Sequence, residues 1–262
     1  MSDAPQPTSA ARPRSPIRKV TVENVARLTP GLTRVTFTGA ELSGFGPPRP
    51  AAHIKLHIVP PGETWNPLDE DAPRPPRRTY TPHSFDAERL RLDVDFVLHG
   101  SGLASDWATQ ASPGQTMFVS GPGGGYEAPA DARTLVLVAD ETALPAVGMI
   151  LEKLPVGCRP IVLAELPGPE EERALSERTD VAPHWLHRDV ARSLPGSLLE
   201  TAVREFDTDA STAWWVACEA AAMRRIKHYL LKDRAVAPAH VHVRGYWKLG
   251  ETAYPDHDYG KD

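Results

Sequence analysis

The chain has 262 residues, 41% hydrophobic and 24% charged, with a formal net charge of −5. It is long enough for two domains with cores of their own, and its acidic balance argues against a nucleic-acid binder, a class that is usually basic. No apolar run approaches the roughly 20 residues that cross a bilayer, so no membrane insertion is expected. Cys158 and Cys218 lack metal-ligand or redox spacing and fit buried thiols in a reducing cytoplasm.

Residues 1–15, rich in Pro, Ser and Ala and without a hydrophobic signal core, read as a disordered arm. Six strand-like runs follow, at 18–28, 33–39, 52–59, around Arg78, at 90–98 and at 115–120. Their number and spacing predict a small antiparallel six-stranded β-barrel over 16–130. The proline-dense stretch 60–76 is expected to form an exposed, mobile loop. Within 90–98, Leu90, Leu92, Val94, Phe96 and Leu98 alternate with Arg91, Asp93, Asp95 and Val97, the period of a half-buried strand. Gly100 and Gly102 end it, and Ala104–Ala111 suits a short helix.

From residue 134 the pattern changes. TLVLVAD (134–140) is a buried strand run, and Leu144, Val147, Gly148, Leu151 and Leu154 share one face of the following helix. Strand runs at 159–166, 184–188, 214–219 and 240–247 then alternate with helical ones, namely an acidic helix after Leu166 and further helices at 196–206 and 220–233. This alternation predicts a doubly wound, parallel α/β sheet over 131–250. The domain boundary falls near 129–132, and 251–262 reads as a flexible tail.

The tetrapeptide Arg78-Thr79-Tyr80-Thr81 carries the most chemistry. Alternate side chains of an extended segment share a face, so Arg78 and Tyr80 project together and Thr81 turns the other way. Arg78 suits a pyrophosphate, Tyr80 an isoalloxazine ring, and Thr81 a hydrogen bond at the ring edge. The helix start at Ala104–Ser105 offers backbone N–H groups and the positive end of a dipole to the same phosphate. Spacing alone also fits an ordinary strand–turn–helix.

The ordered set RTYTPH, DVDFVLHG, GLASDWA and SGPGGGY, with DETALPA, WWVACE and GYWKLG further on, resembles the siderophore-interacting protein family. These are FAD-containing ferric-siderophore reductases within the ferredoxin–NADP reductase superfamily. The resemblance runs from about Pro16 to Gly250 and departs at His83, Leu103 and Cys218, where the family usually has Arg, Pro and Gly. It implies one FAD in the barrel, in contact with Arg78, Thr79, Tyr80, Thr81, Asp95, Val97, His99, Gly102, Ala104, Ser105 and Trp107. It further implies a nicotinamide-proximal site at Asp140, Thr142, Ala143, Glu219, Tyr246 and Trp247. The implied reaction reduces siderophore-bound Fe(III) to Fe(II), which weakens the metal's hold on hard oxygen donors. NADH or NADPH is the implied electron donor, and a reduced ferredoxin is also open.

Where a glycine-rich pyrophosphate turn is usual, this chain has Asp140-Glu141-Thr142, whose carboxylates repel a diphosphate unless they turn away or cap the helix. Arg188, Arg192, Arg224 and Arg225, near the ends of later strands, are either partners for a 2′-phosphate or solvated charges. A basic rim of Lys55, Arg244 and Lys248 is expected to steer and hold the anionic ferric siderophore. Lys55 shares a strand face with His53 and His57, and that pair, like His240 and His242, reads as solvent-facing; no protein metal ligands are expected. Two other readings share these features: a flavin reductase with a different acceptor, and a non-catalytic ferric-siderophore binding protein without a tightly bound chromophore.

Overall fold

The computed structural model describes residues 15–60, 62–69, 71–100, 102–178, 180–255 and 258–260. The arm expected over 1–15 lies outside the described residues apart from Ser15. The first half contains strands β1 (Ile17–Thr29), β2 (Leu32–Thr38), β3 (Ala52–His57), β4 (Arg77–Tyr80), β5 (Pro82–Asp86) and β6 (Arg91–Val97), helix α1 (Leu103–Gln110) and strand β7 (Thr116–Gly124). The seven strands pair in the order β4-β3-β7-β1-β2-β6-β5, antiparallel throughout. Strands β4 and β5 lie at opposite edges of that order yet are joined by Thr81 alone, so one residue draws the two edges together. The curled sheet encloses Val35, Phe37, Ile54, Leu56, Leu92, Val94 and Phe96, all fully buried.

Among the described residues, this first sheet has seven strands where the sequence suggests six. The extra one, β5, opens on Pro82 and lies at an edge, the position a sheet allows proline. The described residues of the loop 60–76 are mostly exposed, but Trp65 pins it: its ring stacks on His57 (5.3 Å) and meets Phe118 edge-on (5.1 Å). His57 is therefore buried under that ring and not solvent-facing.

The second half contains β8 (Thr134–Asp140), α2 (Leu144–Glu152), β9 (Arg159–Leu166), β10 (His184–His187), α3 (Ser197–Glu205), β11 (Thr212–Glu219), α4 (Ala220–His228) and β12 (Val241–Trp247). The strands are parallel, in the order β10-β9-β8-β11-β12. Leu135, Leu137 and Trp215 pack on the α2 side, while Val136, Val138 and Trp214 pack on the α3 and α4 side. Both faces are covered, which is why β8 and β11 are continuously apolar and not alternating.

Among the described residues after Leu166 the expected acidic helix is absent; a 3-10 turn, Pro169–Glu171, leads into chain that leaves it extended at Glu172. Two contacts fix that course. A Cβ on Gly148 of α2 would lie 2.3 Å from the Leu175 carbonyl, so the chain presses directly on the helix. Glu171 also turns toward the barrel, where it accepts from the Gly31 amide (2.6 Å) and the Thr29 hydroxyl. The helix of 220–233 becomes a wider turn at Tyr229–Asp233, and His240 lies in a 3-10 turn before β12. Part of the expected flexible tail is tied down. The Gly245 amide donates to the Asp258 carbonyl (2.9 Å), Arg224 pairs with the Asp258 carboxylate (2.9 Å), and Lys227 donates to the Gly260 carbonyl (2.7 Å). Among the described residues, no helix is long and apolar enough to cross a membrane.

Candidate functional site

The flavin motif sits where the barrel closes. On β4, Arg78 and Tyr80 are half-buried while Arg77 and Thr79 are exposed, the alternation of an extended strand. The Tyr80 ring rests on Phe96, with centroids 4.6 Å apart, and burial pushes its hydroxyl pKa upward. Thr81 is buried, and its side chain shares a hydrogen bond with Tyr246 of β12. Beyond β6, Gly102 takes φ 131° to start α1, and a Cβ there would come within 3.1 Å of the His99 ring. Glycine thus lets the chain turn sharply under His99 into a helix whose first N–H groups have no intrahelical acceptor. Ser105 is buried, and its hydroxyl accepts from the His99 amide (3.3 Å). Arg78, an aromatic ring and this helix start fit a flavin with a diphosphate linker.

Other residues of the expected flavin set have different partners. Asp95 is buried at the end of a bidentate pair with Arg34 (2.6 and 2.9 Å), with His83 3.6 Å away. Where the family usually has arginine, His83 faces a carboxylate already paired by Arg34; burial, and then the Arg34 charge, lower its pKa against the pull of Asp95. Trp107 packs into the barrel against Phe96 (5.5 Å) and Phe37 (6.0 Å). Val97 ends β6, and Thr79 pairs across the sheet with Lys55.

A second group collects at the carboxyl end of the parallel sheet. Asp140, almost fully buried, accepts from the Trp247 indole (2.8 Å), the Thr142 amide (3.0 Å) and the Thr142 hydroxyl (2.5 Å). Burial, reinforced by the neighbouring Glu141 charge, pushes its pKa up to about 7. Glu219 accepts from the Ala222 amide (2.9 Å), capping α4, and from the Leu249 amide (3.3 Å). Ala143 is buried at the start of α2. Cys218 is fully buried, and burial raises its thiol pKa well above the ordinary value, so it is no ready redox thiol. Thr81–Tyr246 and Trp247–Asp140 make β12 the element that links the flavin motif to this group.

A basic recess of about 260 Å³ opens on the other face of β3 and β4. Lys55, His53, His57, Arg74 and Arg77 line it, with Ser120 on β7, and its lining contains no Asp or Glu. Burial, then the charges of Arg77, Arg74 and Lys55, lower the His57 pKa to about 4. His57 donates to or accepts from Ser120 (3.0 Å), so it serves as a neutral polar wall. Of the expected basic rim, Lys55 faces this recess. Arg244 does not line it; it is buried in a separate, smaller recess with Tyr246 and Tyr259, its guanidinium over both rings and 3.5 Å from His53. Lys248 instead pairs with Glu251. Sequence reasoning missed Arg74 and Arg77; the signal was the run Arg74-Pro-Pro-Arg77-Arg78, in which proline-stiffened chain delivers two cations beside β4. Among the described residues, no cluster of three His, Cys, Asp or Glu could hold a metal ion.

Comparison with known proteins gives concordant findings. The pattern of the siderophore-interacting FAD-binding domain matches residues 21–126, and that of the siderophore-interacting protein matches 132–250. A siderophore utilization protein from T. fusca has a similar structure, with a TM-score of 0.81 and 33% identity over 93% of this chain and 97% of its own. The ferric vibriobactin reductase ViuB of Vibrio cholerae is 28% identical over 87% of this chain and 88% of its own. The NADPH-dependent ferric-chelate reductase of Escherichia coli is 36% identical over 59% of this chain and 63% of its own.

Proposed function

The chain belongs to the siderophore-interacting protein family, and from that premise we propose that it is an FAD-dependent ferric-siderophore reductase releasing iron in the cytoplasm. NADH or NADPH supplies the electrons, with a reduced ferredoxin as a further donor to be tested. The observation that carries the reading is the joining of two sites by one pair of strands. The flavin-facing residues Arg78 and Tyr80 occupy one face of β4, while Lys55, Arg74 and Arg77 form a cationic recess on the other side of β3 and β4.

FAD supplies the ability to take two electrons together and hand them on singly. The chain's part is positional. Arg78 and the amides at the start of α1 would hold the diphosphate, Tyr80 would support the ring, and Thr81, tied to Tyr246, would meet the ring edge. The recess needs no metal ligands, because iron arrives and is reduced inside its own chelate. Its volume is below the about 300–1,000 Å³ of an enclosed ligand pocket, so it grips one flank of a larger anionic complex.

The test is anaerobic. Flavin-loaded protein is mixed with NADH, NADPH or reduced ferredoxin, and Fe(II) is trapped from several ferric siderophores. Bleaching of the flavin followed by stoichiometric Fe(II) is expected. Lys55→Ala raises the acceptor KM several-fold, more at low salt, without slowing flavin bleaching. A chromophore that bleaches but delivers no electrons to any ferric chelate selects a flavin reductase with another acceptor.

A further inference from the structure

In an open parallel sheet, a dinucleotide lies across the carboxyl ends of the strands where the strand order reverses, and its phosphates take the free amides of helix N-termini. Here that reversal falls between β8 and β11. The amides at these helix starts already carry carboxylates. Asp140 accepts from Thr142 before α2 (3.0 Å), Glu165 from Gly196 and Leu198 at α3 (2.7 and 3.2 Å), and Glu219 from Ala222 in α4 (2.9 Å). All three are almost fully buried. A nucleotide phosphate arriving there meets occupied donors and negative charge.

Arg188 is the cation drawn into this acidic group. It follows β10 and reaches the β8–α2 turn, where its two terminal nitrogens grip both oxygens of Glu141 (2.7 and 2.5 Å); it also lies 3.9 Å from Glu165. A guanidinium fork that fits a carboxylate also fits a phosphate. Its place is informative as well. Glu165 is the penultimate residue of β9, opposite Asp140 in register. In dinucleotide-binding sheets an acid at the end of the second strand takes the ribose hydroxyls, or an arginine nearby takes a 2′-phosphate. Here the acid is spent on α3 and the arginine stands beside it. Arg224 pairs with Asp258, and Arg225 with Glu200. The turn that carries Arg188 also exposes Val190 and Leu194, each 72% accessible, an apolar surface of the kind a purine covers.

We propose that Arg188 receives a phosphate of the nicotinamide donor and that Glu141 is its resident competitor. The donor's phosphate takes the fork from Glu141, so this ion pair sets both affinity and preference among donors. The proposal rests on the reductase reading in taking a nicotinamide nucleotide as donor.

The test uses the flavin-loaded full chain, with Glu141→Gln, Arg188→Ala and Arg188→Lys. Binding of the redox-inert NADP+ and NAD+ to oxidised protein is measured by calorimetry, alongside flavin content, thermal midpoint and the KM–kcat split of anaerobic flavin bleaching. Arg188→Ala weakens nucleotide binding about ten-fold or more, the scale of a lost charge-assisted hydrogen bond, and Arg188→Lys restores part of it. Glu141→Gln tightens binding several-fold, with the effect on KM and not on kcat. A shift confined to NADP+ places the 2′-phosphate on Arg188, whereas equal shifts for both nucleotides place the pyrophosphate there. If well-folded Glu141→Gln and Arg188→Ala proteins bind both nucleotides as the wild type does, or if Glu141→Gln weakens binding as Arg188→Ala does, the proposal is wrong and the pair is structural. Wild-type protein that binds neither nucleotide and is bleached by ferredoxin alone overturns the nicotinamide donor itself.

Discussion

Arg78 and His57 lie on adjacent strands but show opposite uses of charge. Arg78 is half-buried, with one nitrogen donating to the Arg77 carbonyl (3.0 Å), and we propose that the rest of its fork meets the FAD diphosphate. Replacing it by alanine removes a charge-assisted contact of about 1.5–3 kcal/mol. Purified Arg78→Ala protein should therefore lose FAD on dialysis, with affinity down about ten- to a hundred-fold; full retention would contradict the placement. His57 does its work uncharged. Its native pKa near 4 lies below the ordinary 6.5 because burial and the flanking cations penalise the proton. As pH falls from 6.5 toward 4, the unfolded chain takes up a proton that the native chain refuses, so stability drops across that window and levels off below it. His57→Phe keeps a ring against Trp65 and removes the titration. Its thermal midpoint should decline less between pH 6.5 and 4 than that of the wild type. Parallel declines would show that other groups carry the acid sensitivity.

At the level of elements, the β8–α2 turn holds the reverse case. Asp140 has a raised pKa, so the unfolded chain releases its proton near 3.8 while the native one keeps it to about 7. The penalty is absent at low pH, grows as pH rises between those values and is complete above them. Asp140→Asn, which can still accept from the Trp247 indole, should raise the thermal midpoint at pH 8 and lose that gain near pH 4. A gain that does not vary with pH would mean the carboxylate is not buried in charged form. The long apolar strands β8, β9 and β11 were readable in the sequence because burial on both faces leaves a continuous hydrophobic run. The motif Arg78–Thr81 was readable because strand alternation alone sorts its side chains. Strand β5 was hidden by Pro82. The acidic segment after Leu166 looked helical because its charges match a helix surface, whereas contacts distant in sequence, Gly148–Leu175 and Glu171–Gly31, decide its course. Arg74 and Arg77 stand in a run that the sequence does display, Arg74-Pro-Pro-Arg77-Arg78, but their convergence with Lys55 in one recess depends on strands meeting, which no local pattern records.

At the scale of the molecule, polar links among the described residues join the barrel to the α/β sheet, among them Thr81 with Tyr246, His53 with Arg244, and Glu171 with the β1–β2 turn. Electron transfer from a donor on one half to a flavin on the other needs these halves held in one arrangement. Glu171 offers the cleanest test, because it lies far in sequence from the flavin motif and its buried carboxylate satisfies two donors at once, the Gly31 amide and the Thr29 hydroxyl. Glu171→Ala leaves both without that acceptor, at about 1–3 kcal/mol for the buried Thr29 hydroxyl and less for the half-buried Gly31 amide, which at roughly 2–4 °C per kcal/mol for a protein near this size lowers the thermal midpoint by several degrees. The more telling readout is cooperativity. In the wild type, flavin release and tryptophan emission should change together on heating, since the halves share these contacts. In Glu171→Ala the flavin signal should separate from the tryptophan transition, and flavin bleaching by the donor should slow while FAD content at 25 °C stays full. Coincident transitions at an unchanged midpoint would show that the carboxylate does not couple the two halves.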